Sequence, residues 1–144
     1  MASEVAFAKI VSGFPRVPIV TASFNRAPIK NEFKDFLASL ARFYEYKRPF
    51  TMLMVPKNMG MGILKQVSHL VRYMRDYENE HRLYLTKTAI VSNSGAVRMF
   101  IQAAFKIKKP VSDIQTFATL SEAHTWLGWE ERMKKARDRK TNKT

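Results

Sequence analysis

At 144 residues, 46% of them hydrophobic and including ten Phe, five Tyr and two Trp, the chain has the length and apolar content of one folded domain and not of a disordered segment. Its 25 Lys and Arg against 12 Asp and Glu leave a formal charge of +13, which favours polyanionic partners (nucleic acid, anionic lipid or acidic protein) without choosing among them. With no cysteine, disulfides, thiolate catalysis and thiolate metal sites are excluded; no apolar run is long enough to span a bilayer, and the expected location is cytoplasmic.

In chain order, "EVAFAKIV" and "RVPIVTASF" are rich in β-branched and aromatic residues around a Gly13–Pro15 turn and predict two strands. Pro18 predicts that the second is an edge strand or starts late, because proline cannot donate to a ladder. From Asn31, a candidate N-cap, "NEFKDFLASLARFYEY" places Phe33, Phe36, Leu37, Leu40 and Tyr44 on one stripe and predicts an amphipathic helix that Pro49 ends. "FTMLMV" is continuously apolar, the pattern of a strand covered on both faces. The turn "MVPKNMGMGILK" comes next, and then "GILKQVSHLVRYMRDYENE", where Ile63, Val67, Leu70, Val71 and Met74 repeat at helical spacing. "YLTKTAIV" predicts the next strand, and "SNSGAVRMFIQAAFKI" a third helix capped by Asn93 or Ser94. "VSDIQTFA" predicts a last short strand, and "SEAHTWLGWEERMKKARDRK" a fourth helix capped by Ser121, with Trp126, Trp129, Met133 and Ala136 on one face. Strands alternating with helices of this length predict a single α/β domain over 1–131, with a mostly parallel sheet of about five strands and about four helices, followed by a basic tail over 132–144. Thr51–Val55 and Thr88–Val91 are the expected innermost strands.

This order of elements resembles the STAS fold of anti-sigma-factor antagonists and the SpoIIAA-like proteins. The likeness covers Val5 to Leu127 and is best in "KTAIVSNSGAVRMFIQAAFKIKKPVSDIQTFATLSEAHTWL", where Phe117, Ser121, Glu122, Ala123, Trp126 and Leu127 fill the places of the family's last strand and the start of its last helix. The resemblance implies a regulatory or protein-interaction module whose switch is a serine, phosphorylated by a partner kinase, in an Asp-Ser-x-Gly-like turn after the central strand. At that turn this chain has Lys57, Asn58, Met59, Gly60, Met61 and Gly62, with neither acid nor hydroxyl, so a phosphoswitch there is not expected.

Two readings of the glycines stand open: small residues that let backbone N–H groups cradle a phosphate, or turn residues. The turn lacks the third glycine, the Gly-Lys-Ser/Thr and the ribose-reading acid of a nucleotide loop, and Lys57 through Gly62 is expected to be an exposed interaction loop. His69, His81 and His124 are scattered without metal-ligand spacing, and Asp35, Asp76, Asp113 and Asp138 avoid the predicted carboxyl ends of strands; neither a metal, a cofactor nor an enzymatic activity is expected. The interleaved aromatics and cations of "ARFYEYKRPF" and "VRYMRDYENEHRLY" suit base stacking in principle, but helical spacing already assigns Phe36, Tyr44 and Met74 to the core. The expected function is therefore a non-enzymatic interaction module with an unidentified protein partner. Two alternatives compete with it. One is a non-specific binder of anionic lipid or nucleic acid through Arg132, Lys134, Lys135, Arg137, Arg139, Lys140 and Lys143; the other is a small apolar-ligand or lipid carrier, which a lined internal cavity would mark.

Overall fold

The computed structural model describes residues 2–5, 8–13, 17–129, 134, 135 and 137, with backbone alone at 2–5, 17 and 18. Among them six strands form one sheet in chain order: β1 (Ala2–Val5), β2 (Ala8–Gly13), β3 (Val17–Phe24), β4 (Phe50–Pro56), β5 (Leu85–Val91) and β6 (Asp113–Phe117). The first three are antiparallel, and β3 to β6 are parallel, so the expected α/β class with a mostly parallel sheet is what forms. The first predicted strand is in fact a hairpin, β1 and β2, which raises the strand count from about five to six.

Pro18 does not make β3 an edge. The β2–β3 register slips between Ser12 and Gly13, so that Val20 faces Ser12 while Val17 faces Gly13, and Pro18 falls inside that irregularity. Parallel pairing with β4 begins at Ile19, one residue later, so the missing N–H interrupts neither ladder.

Each right-handed crossover between neighbouring parallel strands returns on the same side, so the connecting helices form one layer. These are α1 (Glu32–Ala41), α2 (Val67–Asp76), α3 (Glu78–Tyr84) and α4 (Gly95–Ile107). Against them lie the even-numbered residues of the sheet: Val20, Ala22 and Phe24, then Phe50 and Met52, then Ile90. The predicted α1 stripe is buried as expected, with Phe36 edge-on to Phe24 at 4.8 Å and Phe33 edge-on to Phe100 at 5.7 Å. Burial of each such aromatic contributes about 1.5–3 kcal/mol. The odd-numbered residues Leu53 and Ala89 face the opposite side, where α5 (Leu120–Leu127) covers them with Ala123 and Leu127. Hence β4, apolar without alternation, is buried on both faces.

Three helix boundaries differ from expectation. The long second helix is divided: Met61–Gln66 is 3-10, α2 begins at Val67, and Tyr77 (φ −111°, ψ 24°) separates α2 from α3. The cap of α5 is Thr119 and not Ser121; its hydroxyl accepts from Glu122 N–H and donates to Glu122 Oε1. The predicted last helix is interrupted: α5 ends at Gly128, with a left-handed φ of 67° and an N–H bond back to Thr125, and Trp129, Lys134, Lys135 and Arg137 beyond it are helical again.

Candidate functional site

Between the helical layer and the sheet lies a cavity of about 90 Å³. Its floor is formed by Met52 and Met54 of β4, Leu85, Thr88 and Ile90 of β5 and Ile114 of β6. Its roof comes from Leu70, Tyr73 and Met74 of α2, His81 of α3, and Ile101 and Phe105 of α4. The rim is the α4–β6 connection, Lys108 to Ser112, which is half-buried apart from the exposed Lys109. Methionine and isoleucine walls suit an apolar occupant, and the three methionines can adapt their shape to it.

Two side chains on these walls do not fit an apolar lining. Thr88 is 3% exposed and His81 7%, and neither Thr88 Oγ1 nor His81 Nε2 has a hydrogen-bond partner among the described residues. A buried polar atom without a partner costs about 1–3 kcal/mol. His81 is reached through a stripe: Tyr73, Tyr77 and His81 stand four residues apart on consecutive turns, and Tyr44, at the end of the α1 region, closes on them. The imidazole lies 5.5 Å from the Tyr44 ring and 5.0 Å from the Tyr73 ring, while the two phenol oxygens are 3.3 Å apart. Burial pushes the His81 pKa down to about 4 against a weaker upward pull from Glu80, with Lys108 adding to the downward shift, so the ring is neutral near pH 7. Burial likewise raises the Tyr44 and Tyr73 phenols, which stay protonated. At the rim the Lys108 ammonium donates to Glu78 Oε1 at 2.7 Å and to the Lys109 carbonyl at 3.2 Å, tying the start of α3 to the α4–β6 connection.

The predicted interaction loop is at the carboxyl end of the parallel strands, beside the 25–31 connection. Lys57 N–H donates to Phe24 O at 2.9 Å, and Asn58 Nδ2 donates to Asn25 O at 3.3 Å. Arg26 binds Glu32 in a bidentate pair, both contacts 2.7 Å; with the Ile29 N–H, it holds the Glu32 carboxyl down to about 2. Lys57, Asn58, Gly60, Met61 and Gly62 are exposed, as expected, but Met59 is not. At 3% exposure it belongs to the main core, the same buried cluster as Phe24, Phe36 and Ile63, because the layer of helices covers the start of the connection that follows β4. Gly60 (φ 56°, ψ −178°) occupies backbone space open essentially to glycine alone, and the segment after it is a six-residue 3-10 helix, not the start of an α-helix. Of the two open readings, the turn accounts for Gly60; no α-helix N-terminus stands here to cradle a phosphate.

In the basic tail, Lys134, Lys135 and Arg137 are helical and exposed, while Arg132, Arg139, Lys140 and Lys143, like Met133 and Ala136, lie outside the described residues. Trp126 and Trp129 pack beside the buried Leu53, Ala89, Ala123 and Leu127 on the α5 side of the sheet, Trp126 under the Lys87 ammonium at 4.7 Å and Trp129 stacked on His124 at 4.4 Å. Among the described residues, no three His, Asp or Glu side chains come together as a metal site, and no helix is long and apolar enough to cross a membrane. His81, Thr88 and Lys108 were not singled out as site residues by sequence reasoning; the only local signal was the four-residue spacing of Tyr73, Tyr77 and His81. Comparison of the chain with protein-family models, with curated proteins and with solved structures finds no match.

Proposed function

We propose that this domain is a non-enzymatic binder of a small apolar molecule, held in the cavity between α2, α3, α4 and the sheet. The observation that carries the reading is an apolar chamber with two buried polar atoms left without partners, the combination expected of a ligand pocket with convergent polar groups. The test is a thermal-shift screen of small apolar compounds together with the methyl NMR signals of Met52, Met54 and Met74. A ligand raises Tm in a concentration-dependent way and moves those three methyls. If no compound does either, the chamber is a packing defect and the reading fails.

A second reading keeps the domain as a regulatory, STAS-like module that docks a protein. The observation behind it is the pair of apolar side chains Ile29, 57% exposed, and Met61, 55% exposed, on connections that the Asn58–Asn25 bond holds side by side. Affinity capture with wild type and with Met61→Asp, comparing what each retains, tests it; identical captured proteins count against this surface.

A further inference from the structure

We propose, resting on the cavity-binding reading above, that the ligand is an uncharged molecule with one hydroxyl head, which meets the atoms that His81 Nε2 and Thr88 Oγ1 leave unpaired while its alkyl body lies on the methionine and isoleucine walls. The volume of about 90 Å³ equals about three waters' share of the liquid. A chain of about three or four non-hydrogen atoms fills such a space, and the rest of a longer ligand leaves past the rim at Lys108 to Ser112.

The head group follows from the donors and acceptors on the walls. A neutral imidazole presents at Nε2 either an N–H or a lone pair, and a threonine hydroxyl both donates and accepts. A ligand hydroxyl likewise donates and accepts, so it pairs with either tautomer and with Thr88, whereas an ether or a ketone can only accept. A purely apolar ligand leaves both wall atoms dry and recovers none of their desolvation cost. A carboxylate fares worse. The imidazole is uncharged at neutral pH; of the two lysines at the rim, Lys108 is already compensated by Glu78 at 2.7 Å, and Lys109 is exposed to solvent, where it would hold a carboxylate only outside the buried walls. An anion would have to give up its hydration inside an apolar chamber or displace Glu78.

The experiment titrates the full chain, with its methionine methyls labelled, using 1-hexanol, the similarly sized 1-chlorohexane that lacks the hydroxyl, and hexanoate. The methyls of Met52, Met54 and Met74 report occupancy. The expected result is 1-hexanol binding about 10-fold more tightly than 1-chlorohexane, with hexanoate weaker than either at pH 7. In Thr88→Val and in His81→Phe the alcohol preference is expected to fall below about 3-fold while 1-chlorohexane binding is kept. Thr88→Val is the variant least able to disturb folding, since it preserves shape and branching. Equal binding of 1-hexanol and 1-chlorohexane, tighter binding of hexanoate, or an alcohol preference that survives both substitutions overturns this inference and leaves the cavity-binding reading intact. If none of the three probes moves the methyls, this inference falls, and the thermal-shift screen decides the broader reading.

Discussion

Replacing Thr88 with valine exchanges a hydroxyl for a methyl at a position 3% exposed, with Met52 and Ile114 as its neighbours across the β4–β5–β6 register. Both residues are β-branched, so strand propensity and χ1 restriction hardly change. Two terms act in the same direction. The unpartnered Oγ1 no longer has to be stripped of water on folding, worth about 1–3 kcal/mol, and one more methyl-sized group is buried, worth about 0.8 kcal/mol. Cavity walls transmit only part of the second term, so the expected gain is about 1–3 kcal/mol. For a chain of this length that is about 3 °C in Tm per kcal/mol. The assay is urea unfolding followed by circular dichroism, where a gain of about 2 kcal/mol moves the midpoint up by about 1 M at an unchanged slope. A valine variant less stable than wild type by more than about 0.5 kcal/mol would refute the reasoning, because it would mean that Oγ1 has a partner, such as a held water, in the ligand-free protein.

Gly60→Ala is expected to cost about 1–3 kcal/mol, because φ 56° with ψ −178° strains any Cβ-bearing residue. Gly62→Ala, whose new Cβ would stand 3.8 Å from Ala27 Cβ, should change stability by less than about 0.5 kcal/mol; equal effects of the two would show that the turn does not depend on Gly60. Met59→Ala removes a core side chain and should cost about 2–5 kcal/mol, whereas Met61→Ala at 55% exposure should be near neutral, a contrast that denaturant midpoints read directly. The pKa of His81 is depressed in the fold, so the contribution of its neutral form is fully present above the unfolded value of 6.5. It is lost as pH falls toward about 4, by about 1 kcal/mol per unit and about 3 in all. Midpoints at pH 7, 6 and 5 should fall more steeply for wild type than for His81→Phe, and parallel slopes would remove His81 as the cause.

The strands and helices themselves were legible because their signals are local. The β-branched and aromatic content of β3, the apolar run of β4 and of Thr88–Val91 in β5, and helical stripes such as Phe33, Phe36, Leu37 and Leu40 need only neighbours in sequence, and each formed close to its expected bounds. The central place of β4 was legible too, since a strand apolar on both faces must be covered on both. But β5 is not innermost: it neighbours the edge strand β6, and the other central strand is β3, because the N-terminal hairpin adds two strands on that side. What the sequence left open depends on who packs against whom. Pro18 reads as an edge signal until the β2–β3 slip supplies a place inside the sheet where its missing N–H does no harm. Met59 reads as part of an exposed loop until the helical layer closes over it. The cavity has no sequence signature at all: its walls come from segments spread between Leu40 and Ile114, and its volume is the small mismatch left when α2, α3 and α4 meet the sheet. The missing partners of His81 and Thr88 are also a property of packing, because a polar atom counts as unpaired only after folding has removed water from it and brought nothing in its place.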